Sequence, residues 1–139
     1  MLVLKALAAG VLVGVILIEA VLAGLRSLVP ESALIVNAGE GFVGPLIWPL
    51  LPLPAVIWML GAALGGAMAA AMAPKPGWGL GVGALLGLTA FVLVGMVTPG
   101  NPAALFAVTI PLAGAAAGTA LAARLRREDA TVSASGQAV

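Results

Sequence analysis

Four long apolar stretches, separated by short polar or proline-rich segments, dominate this chain. A helix needs about 20 apolar residues to cross a hydrocarbon core of about 30 Å, and each stretch is close to that length. Turn-forming residues and charges mark the ends of the stretches. The pattern predicts an all-α membrane protein, a bundle of four transmembrane helices. The predicted spans cover residues 6–25, 55–73, 77–98 and 103–123.

Two segments fall outside these spans. Residues 42–54 are apolar, but their prolines lack an N–H and clash with the preceding turn, so they do not sustain a helix. We interpret this segment as a proline-rich external loop, interfacial or shallowly re-entrant, with Trp48 and Trp58 near the lipid headgroups. Residues 128–139 are polar and rich in small side chains. We predict that they form a disordered tail outside a four-helix domain of residues 1–127.

Composition narrows the possible functions. Of the 139 residues, 63% are hydrophobic and only 8% are charged, with a mean hydropathy of +1.23, whereas a soluble domain carries about 25% charged residues. The chain has no His and no Cys, which removes the commonest general base, metal ligands and thiol nucleophiles. We therefore predict a non-enzymatic protein without metal or other cofactor. The net charge of +1 offers no basic field for nucleic acid.

The basic residues predict the orientation of the spans. Cytoplasmic loops of membrane proteins carry an excess of Lys and Arg. If the N-terminus is cytoplasmic, only Arg26 lies outside, in a loop with Glu31 and Glu40. The other five basic residues then lie inside: Lys5, Lys75, Arg124, Arg126 and Arg127. We predict a multi-pass protein of the cell (inner) membrane with both termini cytoplasmic.

A cleaved signal peptide is the rival interpretation of the first apolar stretch. Val21, Leu22 and Ala23 resemble the small-residue pattern at which such peptides are cut. The apolar run is longer than the usual apolar region of a signal peptide, and it contains Glu19. Both features favour a retained transmembrane helix.

Glycines recur at four-residue spacing in every predicted span. Four residues are nearly one helical turn, so each set forms a groove on one helix face. In lipid, helices that approach closely through such grooves gain van der Waals contact. We predict glycine-mediated packing, within the chain or between two copies. The predicted packing residues are Gly10, Gly14, Gly61, Gly65, Gly79, Gly83, Gly87, Gly114 and Gly118.

Glu19 is the one charged residue within the predicted spans. It lies about 5 Å from the middle of the first span by helix rise, where an ionised carboxylate costs about 2.5–3.5 kcal/mol. Thr89 and Thr109 lie at a similar depth, and Pro111 leaves a backbone carbonyl without its usual donor. We predict a polar site of Glu19, Thr89 and Thr109. It is a neutral, hydrogen-bonded interhelical contact, a docking contact for a partner subunit, or a site that couples protons or cations.

Two resemblances follow from these residues. Four short spans with a Glu in the first are similar to the small multidrug resistance transporters, but the aromatic residues that those proteins place around their substrate are missing here. A closer likeness, over most of residues 1–127, is to a family of small bacterial proteins with four spans and no established activity. It rests on Val13-Gly14, Glu19, Trp58, Gly61, Gly65, Gly66, Asn101-Pro102, Phe106 and the run from Pro111 to Gly114. The resemblance implies the four-span topology and supports Glu19 as a feature of the first span, but it implies no function.

Three functions are consistent with this sequence. The first is a membrane protein that works through helix–helix association, as an accessory subunit of a larger complex or as a homo-oligomer. The second is a minimal proton- or cation-coupled transporter or channel that uses Glu19. A pore-forming, holin-like protein is the third, but the polar stripes that line such pores are absent from the spans. We favour the first.

Overall fold

A computed structural model describes residues 2–28, 52–97 and 103–136, and these residues contain helices and no strands. A single 3-10 turn, Pro76–Trp78, joins the second helix to the third. The four long helices are α1 (Leu2–Leu28), α2 (Pro52–Met72), α3 (Gly79–Val97) and α4 (Ala103–Gly136). Each contains a segment long and apolar enough to cross a membrane. The prediction of an all-α protein with four candidate membrane spans is confirmed.

Helix α2 begins earlier than predicted. It starts at Pro52 rather than at Ala55, so Pro52 and Pro54 belong to its first turn. The first four N–H groups of a helix have no partner within it, so a proline there sacrifices no hydrogen bond. The rest of the predicted proline-rich loop, including Trp48, lies outside the described residues.

Helix α4 continues well beyond its predicted end at Ala123. It extends to Gly136, so residues 128–136, which we predicted to be a disordered tail, are helical. Ala, Arg and Glu, which occur at and after the predicted end of the span, all favour helix. Arg124 and Glu128 are four residues apart, a spacing at which opposite charges support a helix. The polar composition that suggested disorder is therefore also compatible with a solvated extension of α4.

Helix α2 lies at the centre of the bundle. It packs against α1, α3 and α4, and α3 also packs against α4. Helix α1 is peripheral, since it contacts α2 and a small part of α3. Small side chains dominate the core, which allows the helices to lie close together. The central cluster consists of Ala62, Ala69, Val82, Leu86 and Ala115, with Leu7, Val11 and Trp58 packed around it.

The close contacts define the direction of each helix. Gly10 lies beside Gly65 and Gly14 lies beside Gly61, so α1 and α2 are antiparallel. Gly114 meets Met59 and Gly118 meets Ala63, so α2 and α4 are parallel. Gly79 lies beside Thr119 and Gly87 beside Val108, so α3 is antiparallel to α4. The starts of α1 and α3 therefore lie at the same end of the bundle as the ends of α2 and α4.

Candidate functional site

The α1–α2 contact brings two pairs of glycines together. A methyl carbon on Gly10 would lie 2.7 Å from Cγ2 of Val82 and 2.9 Å from Cβ of Ala69, and it would also contact the carbonyl of Gly65. A methyl carbon on Gly14 would lie 3.0 Å from the carbonyl oxygen of Gly61, and one on Gly61 would lie 2.9 Å from the carbonyl oxygen of Gly14. Carbon atoms rarely approach so closely, because the attractive optimum lies at about 3.5–4.0 Å. A side chain at any of these positions therefore requires its neighbours to shift.

The α2–α4 contact is the tightest of the bundle. A methyl carbon on Gly118 would meet the carbonyl oxygen of Ala63 and lie 3.0 Å from its Cα. On Gly114 it would meet the carbonyl of Met59 and lie 3.1 Å from that residue's Cα. The neighbouring atoms belong to the backbone, so they cannot move aside by a change of rotamer. A larger residue here requires the two helices to separate.

Helix α3 approaches α4 through its three spaced glycines. A methyl carbon on Gly83 would lie 2.6 Å from Cβ of Ala115 and 3.0 Å from the carbonyl oxygen of Pro111. On Gly87 it would lie 3.0 Å from the carbonyl oxygen of Val108. Gly79 is enclosed by the Thr119 hydroxyl and the carbonyl of Gly66. All nine glycines that the sequence singled out therefore lie against another helix.

Gly66 and Thr119 belong to the same contact region, although sequence reasoning did not select either one for packing. A methyl carbon on Gly66 would lie 2.9 Å from both Cα and the carbonyl oxygen of Ala115. Thr119 is buried, and its hydroxyl has no hydrogen-bond partner within the described part of the chain. The sequence did contain a signal for both residues, because each directly follows a glycine of a predicted groove. Gly66 follows Gly65, and Thr119 follows Gly118.

What distinguishes these glycines is the space around them and not their backbone conformation. None of the described glycines has φ in the left-handed region that only glycine adopts readily. A methyl carbon at Gly24, Gly77 or Gly95 would meet nothing within 4 Å. The described chain thus contains glycines that are closely covered and glycines that are open, which makes the open ones natural controls.

Glu19 lies on the exposed side of α1, facing away from the bundle. Thr89 is exposed on α3, where its hydroxyl donates a hydrogen bond to the carbonyl of Leu85 at 3.0 Å. Thr109 is exposed on α4, a helix that does not share a substantial contact with α1. The predicted trio therefore does not form a buried cluster within one chain. Each of the three side chains faces outward from a different helix.

A second polar region lies at the end where α1 and α3 begin. The guanidinium of Arg126 donates hydrogen bonds to the carbonyls of Ala71 at 2.7 Å and Ala73 at 3.1 Å. Ala71 lies in the last turn of α2 and Ala73 directly follows the helix. Backbone acceptors at a helix end lack helical donors, and a positive charge there interacts favourably with the helix dipole. Arg126 thus caps α2 from α4. Lys75 and Trp78 follow Ala73 in the α2–α3 connection, and both side chains are exposed.

The described residues contain no group of three or more His, Cys, Asp or Glu side chains close enough to hold a metal ion. No family model, curated protein or solved structure matches this chain. The described residues contain four helices long and apolar enough to cross a membrane, as expected of a multi-pass membrane protein.

Proposed function

We propose that this chain is a non-enzymatic integral membrane protein that works through helix–helix association, as a homo-oligomer or as an accessory subunit of a larger membrane complex. The observation that carries the proposal is the outward position of Glu19 on the peripheral helix α1. A carboxyl group that faces lipid tails finds no hydrogen-bond partner there, and intramembrane acids generally face protein or water. A second protein surface against α1 supplies such a partner.

Within the chain, we propose that close packing depends on the glycine faces. The support is the spacing of the glycines and the close neighbours, at 3.0 Å or less, that a Cβ atom would meet at nine of them. Because lipid gives helices no hydrophobic reason to associate, close van der Waals contact between backbones has to stabilise the bundle. The same physics applies to association with a partner, so exposed small residues on α1, such as Ala20 and Ala23, suit a close approach beside Glu19.

Glu19 variants test the association. We expect the purified protein in mild detergent to elute as a homo-oligomer or with a stoichiometric partner, heavier than the 13.6 kDa chain. Glu19→Gln should retain the assembly, because an amide preserves most of the hydrogen-bonding capacity. Glu19→Leu should weaken it modestly, since interhelical hydrogen bonds contribute about 0.6 kcal/mol on average. Light scattering coupled to size exclusion measures the mass, and mass spectrometry identifies any partner.

Thr89→Val is the matched control, because it also removes an exposed polar group but one already bonded within its own helix. It should leave the assembled mass unchanged. The competing function is a minimal proton- or cation-coupled transporter that uses Glu19, since intramembrane acids commonly bind such ions. A pH-dependent flux in proteoliposomes that disappears in Glu19→Gln would establish that competitor, and a lone monomer without partner would reject association.

We also propose that both termini are cytoplasmic and that the protein lies in the cell (inner) membrane. The support is the clustering of Lys5, Lys75 and the α4 arginines at one end of the bundle, since cytoplasmic faces carry an excess of Lys and Arg. Because the chain has no Cys, single cysteines can report the orientation. We expect a membrane-impermeant maleimide to label Glu40→Cys in intact cells, and Gly77→Cys and Ala130→Cys only after lysis. The reverse labelling pattern would invert the topology.

The family resemblance is part of the same proposal. The four-span arrangement and Glu19 in the first helix are compatible with the small bacterial four-span proteins that the sequence resembles. Membership of that family is proposed on these two features alone. Conservation of Glu19 and Gly118 in such proteins would support it.

A further inference from the structure

Five of the six basic residues, although far apart in the sequence, lie at one end of the bundle. Only residues 73–75 separate the apolar segment that ends at Met72 from the one that begins at Pro76. A connection this short between two membrane-crossing helices has to lie at the level of the lipid headgroups, and so does Lys75. The hydrogen bonds from Arg126 to Ala71 and Ala73 place the part of α4 around Arg126 at the same level.

The other cations follow from helix geometry. Arg124 and Arg127 are exposed, and residues three apart share one side of a helix, so both lie on the outer side of α4. Lys5 is exposed on α1, little more than one turn from Gly10, which lies beside Gly65 and Val82. We call Lys5, Lys75, Arg124, Arg126 and Arg127 the basic end. The acidic residues beside it, Glu128 and Asp129, lie farther along α4, and Glu128 already has an interaction within the chain.

Arg126 has a different role from the other four. Its guanidinium is used to cap the end of α2, which fixes the spacing between α4 and the α2–α3 connection. The remaining cations have exposed side chains and therefore remain accessible to headgroups. Trp78 is also exposed, at 44%, shortly after Lys75. Tryptophan at this depth is typical of a membrane interface, where its ring contacts lipid and its N–H meets polar groups.

We propose that the basic end binds the headgroups of anionic phospholipids, with Lys75, Arg124 and Arg127 as the main phosphate contacts and Trp78 packed against the adjoining glycerol and acyl carbons. Charge complementarity carries the assignment, because several exposed cations lie at the depth where lipid phosphates lie. Basic clusters next to membrane helices attract anionic lipids by about 1 kcal/mol for each Lys or Arg. This proposal is independent of whether α1 binds a partner.

Lipid competition in nanodiscs tests the proposal. The full-length protein is reconstituted in phosphatidylcholine containing a minor fraction of phosphatidylglycerol, and the lipids that remain bound are counted by native mass spectrometry. We expect phosphatidylglycerol to be enriched on the wild type relative to its bulk fraction. The triple variant Lys75→Gln, Arg124→Gln, Arg127→Gln should lose this enrichment. Neutralising one cation alone should lower it by up to about fivefold, the equivalent of about 1 kcal/mol.

Two controls keep the result specific. Glu128→Gln changes one charge in the opposite direction and should preserve or increase the enrichment. Phosphatidylglycerol should also raise the midpoint of thermal unfolding of the wild type. Inorganic phosphate added to the wild type in phosphatidylcholine should not raise it. Equal enrichment for the wild type and a folded triple variant would overturn the proposal. So would equal stabilisation by inorganic phosphate, which would assign the cations to a soluble anion instead.

Discussion

Gly118→Leu is expected to separate α4 from α2 and to cause the largest loss of stability of any single substitution in the bundle. A Cβ at this position already overlaps the carbonyl oxygen of Ala63, and the carbonyl carbon of Ala63 would lie only 2.7 Å away. The obstructing atoms are backbone, so relief requires movement of a whole helix. Overpacking of a close contact typically costs about 1–3 kcal/mol and sometimes more. The midpoint of thermal unfolding in mild detergent, followed by size exclusion, measures the loss.

Gly95 provides the matched control for this experiment, since it lies in α3 with nothing within 4 Å of the added carbon. Gly95→Leu should unfold close to the wild-type midpoint. The alanine pair is sharper, because it makes the same chemical change at both sites. Gly95→Ala should be neutral or stabilising, as alanine favours an exposed helix by about 1 kcal/mol over glycine, whereas Gly118→Ala should destabilise. If both alanine variants shift the midpoint in the same direction, close approach at Gly118 is not what stabilises the α2–α4 contact.

Gly83→Leu is expected to have a second large effect, because it acts on a different contact, the one between α3 and α4. The new side chain would meet Cβ of Ala115 and the backbone of Pro111 and Leu112, all within 3.1 Å of its first carbon. Two of these three neighbours are main-chain atoms, so α3 has to move outward. Loss of a monodisperse peak and a lower unfolding midpoint in detergent are the expected results.

Leu85→Ala serves as the comparison for Gly83→Leu. Leu85 is 46% exposed on the outer side of α3, so its truncation removes contacts with lipid or detergent rather than with another helix. It should shift the midpoint much less than Gly83→Leu does. A Gly83→Leu protein as stable as the wild type would mean that this face of α3 meets lipid, and that the α3–α4 arrangement described above is wrong.

The boundaries of the helices were predictable only where hydrophobicity itself changes. The start of α3 and the end of α2 lie within a few residues of their predicted positions, because Lys75, Pro76 and Gly77 interrupt the apolar pattern. The start of α2 and the end of α4 were misplaced for the opposite reason. Proline in a first turn and a polar helical extension are both compatible with helix, although composition alone favours a loop or a tail.

The polar residues illustrate a different limit of the sequence. The depth of Glu19 along α1 follows from helix rise. Whether its side chain faces another helix or the outside of the bundle depends on which helices surround α1. We expected Glu19 to face Thr89 and Thr109, and in the structure all three are exposed on separate helices. Arg126 was assigned only a topological role from its charge. Its hydrogen bonds to Ala71 and Ala73 arise because α2 and α4 run parallel side by side, a relation that no local pattern encodes.

By itself, the sequence determined that this is an all-helical chain with four segments suited to cross a membrane, since length and hydrophobicity are local properties. It also indicated which glycines form rows, because a four-residue spacing defines a helix face. Only the tertiary structure decided which rows meet, that α2 is central and α1 peripheral, and that Leu86 is buried while its neighbour Leu85 is exposed. The physical reason is that lipid and protein interior are both apolar, so a membrane helix carries no polar stripe to mark its outer side.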